Sequence, residues 1–109
     1  MFLPYIETMY KRSVNMKLYL IHTGFYDPKI MDGLYEQHTN YFVVANDLKT
    51  AKIHARNNLL FKKKKMHIDG IQELNVVDGY RIQLVKDKSS EETLIFTYED
   101  VKSIKICDK

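Results

Sequence analysis

The sequence of 109 residues has no tryptophan, one cysteine, two prolines and four glycines. With Cys107 alone, an intramolecular disulfide is excluded and a thiolate zinc site cannot form within one chain, so a reducing, cytoplasmic setting is the plain expectation. No run approaches the roughly 20 apolar residues that cross a bilayer, and no membrane partner is expected. The opening Met1-Phe2-Leu3-Pro4-Tyr5-Ile6 is apolar, but no basic residue precedes it and Glu7 interrupts it, which makes a poor secretory signal. Gly24, Gly33, Gly70 and Gly79 are isolated from one another, so no glycine-rich loop exists to cradle a phosphate, and no nucleotide or other cofactor is expected. Ser13, Ser89, Ser90 and Ser103 lack the surroundings of a nucleophile elbow. An excess of either charge is also missing: 17 Lys and Arg against 14 Asp and Glu leave a net charge of +3, which permits weak contact with polyanions without demanding it.

What is present belongs to a globular protein. A hydrophobic share of 45% and an aromatic share of 12% exceed what a disordered chain carries, and the length accommodates one core. Residues 1–15 read as an N-terminal extension, or as a start assigned upstream of Met16. Tyr5, Ile6, Met9 and Tyr10 follow Pro4 at the spacing of a short helix. Residues 16–109 form the single domain. Leu18-Tyr19-Leu20-Ile21 is a short apolar run closed by Gly24, the pattern of a central strand covered on both faces. A loop with turn signals at Asp27-Pro28 and Asp32-Gly33 leads to a second strand, His38 to Ala45. Asn46 or Asp47 then caps a helix whose stripe is Leu48, Ala51, Ala55 and Leu59, expected to run to about Phe61.

The second half is expected to be β. Met66 to Val77 is an uneven strand with a bulge at Gly70, and Asp78-Gly79 is a two-residue hairpin turn into Tyr80 to Val85. Thr93 to Tyr98 and Ile104 to Cys107 supply further strands. The expected class is α+β: a mostly antiparallel sheet of about five strands, in the order β-β-α-β-β-β, with one main helix on one face.

Three phrases stand in order along this plan: Glu36-Gln37-His38, His67-Ile68-Asp69 and Val77-Asp78-Gly79-Tyr80, with Met16-Lys17-Leu18 ahead of them. Over about residues 16–85 the chain resembles a small bacterial family known only as a domain of unknown function, present once or twice per chain. The resemblance implies the fold and supplies no activity. The chain departs from the family's pattern in an aromatic-rich loop from Gly24 to Tyr35, and in Gly70-Ile71 where a bulkier aromatic is expected.

The candidate chemistry is sparse. His67 and Asp69, two apart on a strand, leave the same face, and Glu36 and His38 repeat that spacing at the mouth of the second strand. If the strands are neighbours, His38, His67 and Asp69 become a metal-ligating or general-base cluster; otherwise they are turn residues and ordinary hydrogen-bonding histidines. His22 reads as a hydrogen-bonded core histidine and His54 as a solvent-facing one. The run Lys62-Lys63-Lys64-Lys65 offers contacts to phosphates, with a solvated helix end as the plainer explanation. The loop from Phe25 to Glu36 carries Phe25, Tyr26, Ile30, Met31, Leu34 and Tyr35, which either pack on the sheet or face a partner. By elimination the first functional expectation is a non-enzymatic interaction or assembly module, such as a homodimer joined through a sheet edge or the aromatic loop. A nucleic-acid binder using Lys62 to Lys65 is the second, and a metal- or His-dependent enzyme centred on His38, His67 and Asp69 the third.

Overall fold

The computed structural model describes residues 15–89 and 91–107. The expected extension and its short helix lie, but for Asn15, outside the described residues. The class is α+β. A three-stranded antiparallel sheet in the order β2-β1-β3 is built from β1 (Lys17–Phe25), β2 (Gln37–Ala45) and β3 (His67–Leu74). Registers run from Lys17↔Ala45 to Phe25↔Gln37 on one side of β1 and from Leu18↔Leu74 to Gly24↔His67 on the other. Along the second ladder Ile68 pairs with Thr23 and Gly70 with His22, so Asp69 is the extra residue of a bulge, at the position the Gly70 signal indicated.

The helical layer covers one face. α1 (Leu48–Arg56) starts where the Asp47 carboxylate accepts the Thr50 N–H at 2.7 Å. Ala51 and Ala55 are fully buried and let the helix settle against Tyr19, Ile21 and Ala45, with Tyr41, Val43, Ile68 and Ile71 around them. The Tyr41 hydroxyl donates to the Ala55 carbonyl at 2.7 Å, beside the Asn58 N–H that the same carbonyl accepts at 3.2 Å. The helix does not continue to Phe61. Asn57 closes it, and Asn58 accepts the Leu60 N–H to open a separate α2 (Leu59–Lys64). The expected stripe is therefore shortened, and its outer members Leu48 and Leu59 are 59% and 83% exposed.

Two further expectations are corrected. β1 is central in the sheet but covered on one face only: Tyr19, Ile21 and Thr23 are buried, whereas Leu20 is half-buried and His22 is exposed on the opposite side. In the C-terminal part, Thr93 to Tyr98 and Ile104 to Cys107 form no strand. Instead Thr97 and Asp100 exchange hydrogen bonds as a capping box and start α3 (Tyr98–Lys102). The hairpin is present but short, pairing β4 (Val76–Val77) with β5 (Tyr80–Arg81), and Asp78 and Gly79 take the positive φ values of 53° and 82° that the turn requires.

Candidate metal centre

The open face of the sheet gathers the polar residues. Gly24 on β1 is flanked in register by His38 on β2 and His67 on β3, so the two imidazoles stand on either side of a residue with no side chain. Glu36, just before β2, reaches over the same point, and Asp69, two residues on from His67, shares its face. His67 Nε2 lies 2.9 Å from Glu36 Oε1 and 3.1 Å from Asp69 Oδ1. His38 Nδ1 lies 3.2 Å from Asp69 Oδ2, and its Nε2 3.9 Å from Glu36 Oε1. A Cβ placed on Gly24 would collide with Glu36 Oε1 and come within 2.7 Å of His67 Nε2 and 2.8 Å of Asp69 Oδ2. Glycine here leaves a hollow floor over which three donor side chains, those of Glu36, His67 and Asp69, converge.

His22, one alternation along β1, belongs to the same face. Its ring stacks on His38 with centroids 5.1 Å apart and planes 7° from parallel, and its Nδ1 sits 2.7 Å from Asn40 Oδ1. The expectation of a buried His22 is not met: α1 packs on the Tyr19, Ile21 and Thr23 face of β1, and His22 is exposed on the other. His54 is exposed as expected, with Nδ1 3.0 Å from the Val44 carbonyl oxygen.

Chemically, two carboxylates and three imidazoles within a few ångströms form a nitrogen–oxygen donor set. Metal–ligand bonds of about 2.0–2.2 Å place neighbouring ligand atoms roughly 3.0–3.5 Å apart. The observed 2.9, 3.1 and 3.2 Å separations lie at or beside that range. Two overlapping triads, Glu36, His67 and Asp69, and His22, His38 and Asp69, each bring one potential ligand atom per residue within 4.8 Å of the others.

Residues 33–84 match the family model of a Domain of Unknown Function (DUF1543). The expected likeness to a small family without an assigned activity is thus found. The DUF1543 segment contains Glu36, His38, His67 and Asp69, while β1, with His22 and Gly24, precedes it. No curated protein and no solved structure matches the chain.

The other sequence candidates lie elsewhere. The loop before the DUF1543 segment is ordered around Asp27, whose carboxylate accepts the Lys29 N–H at 2.9 Å and pairs with Lys64 Nζ at 3.0 Å. The Lys29 N–H first and Lys64 second hold the Asp27 carboxyl below its usual range. Lys64 also lies over the Phe25 ring, 5.8 Å from its centroid, so one member of the lysine run is engaged within the chain. Lys63 is exposed, while Lys62 and Lys65 border, with Arg56 and Phe61, a shallow groove of about 410 Å³. Tyr26 and Tyr35 are exposed.

Of the residues brought together here, Glu36, His38, His67 and Asp69 are candidates in the sequence, whereas His22, Asn40 and Gly24 are not. The signal was in the alternation of β1. Tyr19, Ile21 and Thr23 form one face and Leu18, Leu20, His22 and Gly24 the other, so a histidine two residues before a glycine shares the face of the cluster.

Proposed function

We propose that this protein binds a divalent transition-metal ion, with zinc as the reference ion, through Glu36, His38, His67 and Asp69. The observation that carries the reading is the floor at Gly24: three of these four side chains converge on the space a Cβ would fill. A divalent ion would offset the two facing carboxylates and use imidazole nitrogens that already lie at ligand-to-ligand separations. The side chains of His38 and His67 are about half exposed (48% and 50%), so a bound ion would keep positions open to water or to a ligand from outside.

Native mass spectrometry and elemental analysis of the full chain, reconstituted with zinc, test this. Bound zinc is expected in the wild type and reduced or lost in His67→Ala. A folded wild-type protein that stays metal-free at micromolar zinc would overturn the reading.

An assembly module is the second reading, and a second copy of the chain is its occupant. It is favoured by the open sheet face, where Phe42 is 61% exposed beside Val44, and by Leu94, Ile95, Phe96, Val101 and Ile104 all being exposed. Apolar area of this kind is what self-association buries.

A further inference from the structure

We infer that the cluster is a two-metal centre in which Asp69 bridges the ions. The inference rests on the proposed metal binding and goes beyond it by assigning a second subsite to His22 and His38. The two triads share only Asp69, and that carboxylate already divides its oxygens between them: Oδ1 faces His67 at 3.1 Å and Oδ2 faces His38 at 3.2 Å. A carboxylate offering one oxygen to each side is the usual bridge between cations about 3.5–4 Å apart. Glu36 and His67 complete one subsite, and His38 and His22 the other.

An independent feature singles out His22 as a ligand. Asn40 Oδ1, directly across the ladder, lies 2.7 Å from His22 Nδ1. A carbonyl oxygen can only accept, so in the neutral ring the contact selects the tautomer with the proton on Nδ1 and the lone pair on Nε2. Metal-binding histidines are held in this way, their second nitrogen donating to an oxygen that fixes tautomer and ring orientation. The near-parallel stack of His22 on His38 pairs the two rings, with His38 turning Nδ1 to Asp69 at 3.2 Å and leaving Nε2 at the longer 3.9 Å from Glu36. With three protein ligands or fewer per ion and the face open, both ions would have free positions on the solvent side. The ligand class that fits such a pair is an oxyanion spanning them, with inorganic phosphate as the probe.

Metal stoichiometry is the test, read by native mass spectrometry of the full chain titrated with zinc, with Mn²⁺ EPR as a second signal. The expected result is two ions in the wild type and one in His22→Ala. A spin-coupled manganese signal should be present in the wild type and replaced by an isolated-ion signal in the variant. Asn40→Ala should weaken the second ion roughly 10- to 100-fold and leave the first unchanged. Because His22 is exposed, its loss removes no core contact. One ion in the wild type, unaffected by His22→Ala, would overturn the two-metal centre and leave the single site standing. No ion would remove both.

Discussion

Gly24 is where backbone, space and chemistry meet. Its φ is outside the left-handed region occupied by Gly33 and Gly79, so an L-residue fits the backbone there, and the restriction comes from what lies above it. The atoms a Cβ would meet are the ends of side chains, which can swing outward without disturbing the sheet. Gly24→Ala is therefore expected to keep the fold, with a melting temperature equal to or slightly above the wild type because the unfolded chain loses freedom. The same substitution should lower zinc affinity at least about ten-fold, since a 1 Å displacement already breaks ligand geometry. Calorimetric titration beside thermal melting separates the two effects, and unchanged affinity would show that the cluster is an ordinary hydrogen-bonded one. Lys65 makes the opposite case: it closes α2 at φ 53° and ψ 50°, left-handed backbone that costs a side chain about 1 kcal/mol. Lys65→Gly should recover up to about that amount in a denaturant titration.

At the level of elements, the parts governed by local rules were legible. A cap at Asn46 or Asp47, Asp78-Gly79 as a turn, Gly70 as the mark of a bulge and the β1 and β2 runs all follow from chemistry within a few residues. What escaped depended on partners far along the chain or on a competing local signal. Asn58 restarted a helix that the apolar spacing through Leu59 carried onward, and the Thr97–Asp100 pair won over the β-prone run from Thr93. The site was half legible: i, i+2 spacing showed that His67 and Asp69 share a face, but their meeting with Glu36 needed the order β2-β1-β3, which no local pattern encodes. Pairing of β1 with β3 also sets a pH dependence. The buried Tyr19 hydroxyl donates to Glu73 Oε1 at 3.0 Å. The Asn75 amide first, then Tyr19, hold the Glu73 carboxyl below its usual range, and burial pushes the Tyr19 phenol up. A lowered folded value means stability that is complete above the ordinary carboxylate range and lost as pH falls through the folded value. For the raised phenol, stability is complete below its ordinary 10.0 and lost as pH climbs past the folded value. Thermal melts should be flat from neutrality to about pH 5 and then decline. Part of that decline should vanish in Glu73→Gln.

For the whole molecule, the radius of gyration is 18.5 Å, against about 13 Å for a compact domain of this length. Apolar side chains of the C-terminal part are exposed, and one face of the sheet carries no helix. Phe42→Lys, which charges that face without touching the core, is expected to leave the melting curve nearly unchanged and to abolish concentration-dependent association in sedimentation velocity. Equal sedimentation of the two proteins at all concentrations would count against a second copy on this face. The donor groups, meanwhile, are drawn from positions 22 to 69, on strands that must all be paired before any two subsites exist. An ion held there acts on the time axis: it recognises only the finished sheet, so it leaves the rate of folding where it was and slows escape from the native state. Metal supply would then set how long each molecule lasts rather than how readily it forms.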